Sequence, residues 1–250
     1  MAASATELLS AIECNQLLLH YQTIVNLQNS DTPISGFEAL VRWHHPIKGL
    51  LYPGAFLPLV SVPKASDFIW QKPLFDWVFA EVCRVAAKVS SDRYIAINIS
   101  PWQIVGDDFS TQIQLKLERL NLTGRVQFEI VEDLVSSRDL DALRLLLLPL
   151  SFVANIGIDD FGTGGSSLWR LSALGEIVSF IKIDRAFMPN SKHDRSGIAI
   201  YECMVKMAHI LDLKVVAEGV EYDWQIDVCR SIGVDLAQGF YFGKGSVSIE

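Results

Sequence analysis

Short runs of β-branched and aromatic residues alternate with helix-length segments along nearly the whole chain, and this alternation limits the fold more than any other feature. Glu7 to about Cys14 reads as a helix and Leu17 to Leu27 as a strand; a turn at Asn29 to Pro33 leads into a second strand, Ile34 to Trp43, so the pair predicts a hairpin. The pattern then becomes regular. Helix Phe68 to Val89, with Pro73 in its first turn or at a kink, precedes strand Tyr94 to Ser100, and helix Phe109 to Leu120 precedes strand Val126 to Val131. Helix Leu140 to Phe152 leads to strand Asn155 to Asp160, and a short helix Ser167 to Leu174 leads to strand Val178 to Ile183. Helix Ile198 to Leu211, strand Lys214 to Ala217, helix Trp224 to Ile232 and a last strand over Asp235 to Phe242 complete the chain.

Over 250 residues with no linker, strands separated by helices predict one α/β barrel. The rival is a doubly wound open sheet, which would carry a glycine-rich phosphate loop after an early strand. Neither GxGxxG nor GxxxxGK[ST] occurs, and the glycines of Asp160 to Ser167 match neither spacing.

A formal charge of −8 argues against salt-driven binding to duplex nucleic acid, but leaves room for a small phosphorylated ligand held through cations. Cys14, Cys83, Cys203 and Cys229 are far apart with no CxxC pair, so four reduced and mostly buried thiols are expected. The longest apolar stretch, near Leu143 to Phe152, is too short to span a bilayer and holds Pro149; a soluble cytoplasmic domain without membrane contact is expected, and a fragment of a larger signalling protein would read the same way.

Polar groups interrupt the apolar strands at particular places. Glu38 stands in GFEALVRW, Asn98 in IAINIS, Glu129 in VQFEIV, Asp159 and Asp160 end NIGIDD, Lys182 lies in FIKIDR, Glu218 follows KVVA and Gln238 lies in DLAQGF. Any one of these can be a structural salt bridge. As a set, they deliver an oxygen ligand or a cation from nearly every strand toward one end of one barrel, where barrel enzymes place their chemistry. Hard oxygen donors without His or Cys favour Mg²⁺ or Mn²⁺ over Zn²⁺. Adjacent Asp159 and Asp160 suggest two ions close together, with Lys182 as the cation amid the negative charge. His44 and His45 are neighbours that point to different sides and read as rim or structural groups, and His20, His193 and His209 form no ligand spacing with them. Coordination chemistry alone reaches a two-metal hydrolase of a phosphate ester and does not name the ester.

FEALVRW (Phe37 to Trp43) resembles the motif of the EAL-domain cyclic-di-GMP phosphodiesterases of bacterial second-messenger signalling. It is followed in order by NIS (Asn98 to Ser100), FEIVE (Phe128 to Glu132), DDFGTG (Asp159 to Gly164), KIDRAF (Lys182 to Phe187), EGVE (Glu218 to Glu221) and AQGFYFGK (Ala237 to Lys244), a series that spans essentially the whole chain. The resemblance implies one phosphodiesterase domain over residues 1–250, folded as a modified TIM (β/α)₈ barrel with one antiparallel strand, which accommodates the early hairpin. It implies hydrolysis of cyclic di-GMP to linear pGpG with Mg²⁺ or Mn²⁺, two ions per site. Carried over by motif, Glu38, Asn98, Glu129 and Asp159 look like ligands of a first ion, Asp159 bridges to a second, and Asp160 and Glu218 contribute there. Lys182 matches the lysine that engages the nucleophilic water, Glu221 and Gln238 match residues that position water near the second site, and Arg42 would contact substrate phosphate. Glu132 resembles the glutamate that anchors the loop after Asp160, and a homodimer and a fused or partner sensory domain are family expectations.

The sequence departs from the family pattern at Gly165, where an aromatic residue is usual, in GEIVSFI between Leu174 and Lys182, and in Pro53 to Asp67, where Ser61 and Val62 replace paired glutamates. A non-catalytic cyclic-di-GMP receptor and a nucleotide-blind interaction module are the competing functions; retention of Glu38, Glu129, Asp159 and Lys182 points away from both.

Overall fold

The computed structural model describes residues 5–29, 31, 33–57, 71–100, 103, 108–132, 139–163 and 168–249. Gly165, Ser61 and Val62, and the expected helical residues 68–70, lie outside these. Among the described residues nine strands follow in chain order: β1 (Leu17–Asn26), β2 (Ile34–His45), β3 (Gly49–Leu51), β4 (Tyr94–Ile99), β5 (Val126–Val131), β6 (Ile156–Phe161), β7 (Phe180–Ile183), β8 (Lys214–Ala217) and β9 (Leu236–Gln238). The helices are α1 (Ala5–Glu13), α2 (Pro53–Phe56), α3 (Gln71–Ala86), α4 (Phe109–Arg119), α5 (Leu140–Ser151), α6 (Leu168–Ala173), α7 (Arg195–Ile210) and α8 (Asp223–Ser231), with a 3₁₀ turn at Arg185–Phe187.

Eight of the strands close into a ring. β2, β4, β5, β6, β7, β8 and β9 pair in parallel, and β1 runs antiparallel to both neighbours, β2 and β9, closing the barrel. The expected hairpin is therefore the source of the reversed strand. β3 lies outside the ring, paired only with the far end of β2. The sequence reading missed it, and it ended β2 at Trp43 rather than His45. The imidazole of His45 explains the extension: its Nδ1 accepts hydrogen bonds from the amides of Ile47 (3.1 Å) and Lys48 (3.2 Å) and fixes the turn into β3. This is the structural role expected for that histidine.

Alternation along each strand separates two cores. Phe37, Ile95, Ile97, Phe128, Ile130, Ile158, Ile181 and Val215 face outward and pack under the helices in one large cluster. Inward-facing Ile24, Phe180 and Val216, with Tyr94 and Leu236 against them, form a smaller cluster that floors the lumen. Two glycines make room for the rings of this floor. A Cβ on Gly157 would meet the Phe180 ring at 2.1 Å, and one on Gly36 would meet the Tyr94 ring at 2.7 Å. A third cluster joins α1 (Leu8, Ala11) to Trp43, Phe56 and Leu74, and covers the outer surface of the hairpin.

Two expectations are corrected. The last strand ends at Gln238 rather than Phe242, because Gly239 packs directly on the Val220 backbone, where a Cβ would lie 2.1 Å from the carbonyl oxygen. All four cysteines are free, but only Cys83 and Cys229 are buried; Cys14 and Cys203 are exposed. The unusual GEIVSFI link is not a loose insertion, since Ile177 and Val178 are both buried in the main core. Among the described residues, no helix is long and apolar enough to cross a membrane.

Candidate active site

Above the apolar floor the lumen turns polar within one inward-facing layer. Lys182 lies two residues beyond Phe180 on β7, Gln238 two beyond Leu236 on β9, and Asn98 follows Tyr94 by four on β4; each shares the inward face of its predecessor. Registration across the sheet places Asn98 opposite Glu129 and Glu38 opposite Gln22. The acidic and amide groups read from the strand ends are therefore gathered at the C-terminal mouth of the parallel strands, as the sequence predicted.

Lys182 is the hub. Its Nζ lies 2.8 Å from Glu129 Oε2, 2.8 Å from Glu218 Oε1, 3.0 Å from Asp159 Oδ1 and 3.3 Å from Glu38 Oε2, and the lysine is only 1% exposed. Amides tie the carboxylates to one another. Asn98 Nδ2 donates to Glu38 Oε1 at 2.8 Å, and Gln238 Nε2 donates to Glu38 Oε2 at 2.8 Å and Glu218 Oε1 at 3.1 Å.

Four carboxylates around one ammonium leave excess negative charge in a region of low polarity, and proton affinities respond accordingly. For Lys182, burial alone favours the neutral amine, but Glu129, Glu38, Asp159 and Glu218 outweigh it and hold the pKa well above the usual lysine range. Burial, helped by the repulsion of Glu38 and Asp159, raises Glu129 well above the carboxylate range in spite of Lys182. Burial and the charges of Asp159 and Glu38 push Glu218 up to about 7 against the pull of Lys182. Glu38 moves the other way: its burial is overcome by Lys182 and by the hydrogen bonds from Gln238, Asn98 and Lys182.

Consecutive residues of a regular strand face opposite ways, so Asp159 and Asp160 should diverge. Asp160 instead adopts a left-handed backbone (φ 54°), a conformation aspartate tolerates better than most residues, and the β6–β7 register breaks between Ile158 and Phe161. Asp159, Asp160 and Glu218 can consequently each bring a carboxylate oxygen within 4.8 Å of the others, and Glu38, Glu129 and Asp159 form a second such set. Asp159 belongs to both. Partial burial, then repulsion from Asp159 and Asp184, pushes Asp160 up to about 6. The next turn is held from the residue just after β5: the amide of Gly162 donates to Glu132 Oε2 at 2.9 Å, joining the expected anchor to the start of the loop.

The donor set fits a hard divalent cation on two observations. The possible ligand atoms gathered around the Lys182 ammonium are carboxylate and amide oxygens, and neither acidic set includes sulfur or imidazole. Two of them are buried without a hydrogen-bond donor: Asp159 Oδ1, which is near Lys182 Nζ but out of line for a hydrogen bond, and Gln238 Oε1. Buried oxygens in that condition are costly unless a donor, a water or an ion satisfies them, and a divalent cation would do so for both.

The remaining predicted residues sit at the rim. Glu221 lines a cleft of about 260 Å³ beside Glu218 and Gln238, and its amide is held by Gln225 Oε1 at 2.7 Å. Arg42 shares the inward face of β2 with Glu38, four residues nearer the mouth; it stacks on Tyr52 at 4.7 Å, one guanidinium nitrogen donates to the Val41 carbonyl at 2.9 Å, and its Nε is buried without an acceptor. Sequence reasoning missed Gln22, Asp184, Arg185 and Phe240, which line the same cleft. Asp184, Arg185 and Phe240 lay inside the quoted KIDRAF and AQGFYFGK stretches, whereas Gln22 is on the reversed strand and carried no motif.

Barrel closure by one reversed strand, with an acidic cluster that could hold divalent cations at the mouth, defines a modified α/β barrel with a candidate metal site. The EAL domain family model matches residues 5–245, and the chain belongs to that family. It is 37% identical over 243 residues to the bifunctional diguanylate cyclase/cyclic di-GMP phosphodiesterase MucR of Pseudomonas aeruginosa, covering 95% of this chain and 34% of that protein. It is 33% identical to the cyclic di-GMP phosphodiesterase NbdA of the same organism, covering 95% of this chain and 30% of the relative. The chain thus spans about a third of the length of these relatives. A solved structure of the PaMucR phosphodiesterase in complex with c-di-GMP superposes with a TM-score of 0.84 at 36% identity, covering 96% of each chain.

Proposed function

We propose that this chain is a metal-dependent phosphodiesterase that hydrolyses cyclic di-GMP to linear 5′-pGpG. The observation that carries the reading is the convergence of Glu38, Asn98, Glu129, Asp159 and Lys182 on one point of the barrel mouth, with Asp159 shared by a second acidic set containing Asp160 and Glu218. The names of MucR and NbdA, and the c-di-GMP complex of the solved relative, support the choice of substrate.

Two Mg²⁺ or Mn²⁺ ions fit the reading, the first held by Glu38, Asn98, Glu129 and Asp159 and the second by Asp159, Asp160 and Glu218. When bound, they supply an activated water and neutralise charge on the phosphoryl oxygens. The reaction joins the oxygen of water to phosphorus and breaks one P–O3′ bond; the phosphate stays on the 5′ carbon and the 3′ oxygen leaves with a proton. Lys182, fixed as an ammonium by its carboxylates, orients the attacking water and offsets the charge that develops at phosphorus. Glu221 and Gln238 hold water on the second side. Arg42, stacked on Tyr52, has a planar fork suited to a phosphate oxygen pair. Glu132 positions the loop after Asp160 through the Gly162 amide. In this reading residues 1–250 form one cytoplasmic phosphodiesterase domain that pairs with a second copy and is joined to or partnered by a sensory domain, in keeping with the greater length of the relatives.

Chromatography of products after incubation of purified protein with cyclic di-GMP, with Mg²⁺, with Mn²⁺ and with chelator, tests the proposal. It expects pGpG only where a divalent ion is supplied. Failure to form pGpG with either ion overturns it.

A further inference from the structure

Beside the acidic cluster the cleft contains an arginine with no assigned work. Arg185 opens the 3₁₀ turn after β7, lines the cleft with Glu218, Glu221 and Phe240, and is exposed. Its stem lies on Gly219: a Cβ there would sit 2.5 Å from Arg185 Cβ and 3.6 Å from its Cδ, and Gly219 has a left-handed φ of 69° that suits glycine. Two of the carboxylates nearby are otherwise engaged. Asp184 caps the turn by accepting from the Ala186 amide at 2.8 Å, and Glu218 is bound by Lys182 and Gln238. Among the described residues Arg185 forms no ion pair. An unpaired guanidinium in an acidic cleft is suited to an acceptor brought by a ligand.

An aromatic surface accompanies it. Single exposed apolar residues are ordinary, but Phe240 is 60% exposed on the cleft wall, with Lys244 Nζ 5.5 Å from its ring centre. A flat ring and a planar five-donor fork lining one cleft are a combination that can bind a purine: the ring stacks on the base, and the fork meets adjacent acceptors on its edge. Guanine presents N7 and O6 together on that edge. Adenine presents N7 beside an amino donor, which an arginine cannot satisfy.

Resting on the phosphodiesterase reading, we infer that Arg185 is a specificity-determining residue, donating to the N7/O6 edge of one substrate guanine that stacks on Phe240. Arg185 then sets which base enters, while the chemistry belongs to the cluster around Lys182.

The test compares cyclic di-GMP with its 7-deazaguanine analogue, which lacks the N7 acceptor, in wild type, Arg185→Met and Arg185→Lys. Equilibrium binding in chelator and kcat/KM with Mg²⁺ are both measured. Wild type should prefer the natural dinucleotide by roughly tenfold, the size of one hydrogen bond to a charged donor. Arg185→Met, which keeps the stem over Gly219, should bind both compounds equally, and Arg185→Lys, which keeps a donor but not the planar fork, should keep only part of the preference. Preference retained in Arg185→Met, or absent from wild type, overturns the inference. Binding with the expected preference but no turnover would sustain the inference and sink the enzymatic reading; absence of binding would sink both.

Discussion

Replacing Lys182 by Met removes the one cation, among the described residues, within ion-pair distance of Glu38, Glu129, Asp159 and Glu218, at separations of 2.8–3.3 Å, and substitutes a side chain of similar length. Breaking a buried charge pair by deleting one partner costs about 3–5 kcal/mol, because the surviving charge is left desolvated. Here the loss lies toward the lower end, since Glu218, already at about 7, can take up a proton near neutral pH at little cost. About 3 kcal/mol corresponds to a fall of roughly 6–12 °C in Tm for a chain of this size. The distinctive part of the prediction is rescue. A divalent cation at 100 times its Kd stabilises by about 2.7 kcal/mol, and the variant should gain more from Mg²⁺ than wild type, because the like charge of Lys182 no longer opposes the ion. Urea denaturation of both proteins, in chelator and in excess Mg²⁺, gives the four free energies. Equal stability in chelator, or equal gains from Mg²⁺, would refute the view that ammonium and metal answer the same excess charge.

Three further outcomes follow. In chelator, Glu218 has a folded-state pKa raised to about 7 from 4.5, so its contribution is fully present below about 4.5 and is lost as pH rises to about 7. Wild type should therefore lose about 3 kcal/mol relative to Glu218→Gln across that window, an effect reduced by Mg²⁺, and parallel pH profiles for the two proteins would contradict this. Gly157→Ala forces a methyl into the Phe180 ring of the lumen floor and should destabilise by about 1–3 kcal/mol, measured by denaturation, with Phe180→Leu in the same chain recovering part of the loss. Thiol titration at pH 8 should modify Cys14 and Cys203 in the native protein, but Cys83 and Cys229 only on unfolding, because burial pushes their thiols up to about 11 and about 12. Rapid loss of all four native thiols would contradict the described packing.

The site was more legible in the sequence than the details that shape it. Glu38, Asn98, Glu129 and Lys182 could be read because a buried strand tolerates an ionic or amide side chain only where partners meet it, so each interruption of an apolar run marked the lumen face of its strand. The hairpin of β1 and β2 was visible in its two apolar runs and polar turn, and it is the antiparallel closure of the barrel. What escaped depends on contacts between distant segments. β3 exists because His45 organises a turn, β9 stops because Gly239 meets Val220, and Gly36 and Gly157 are small because the Tyr94 and Phe180 rings occupy the space above them. The left-handed backbone of Asp160, which brings two neighbouring aspartates within reach of one centre, has no signature in residue order alone.

The most direct test of the central claim is anomalous diffraction from crystals soaked in Mn²⁺. The account predicts one peak within coordination distance of Glu38, Asn98, Glu129 and Asp159, a second shared by Asp159, Asp160 and Glu218, and loss of the first in Glu38→Ala. Manganese absent from the barrel mouth, or bound there unchanged without Glu38, would contradict it.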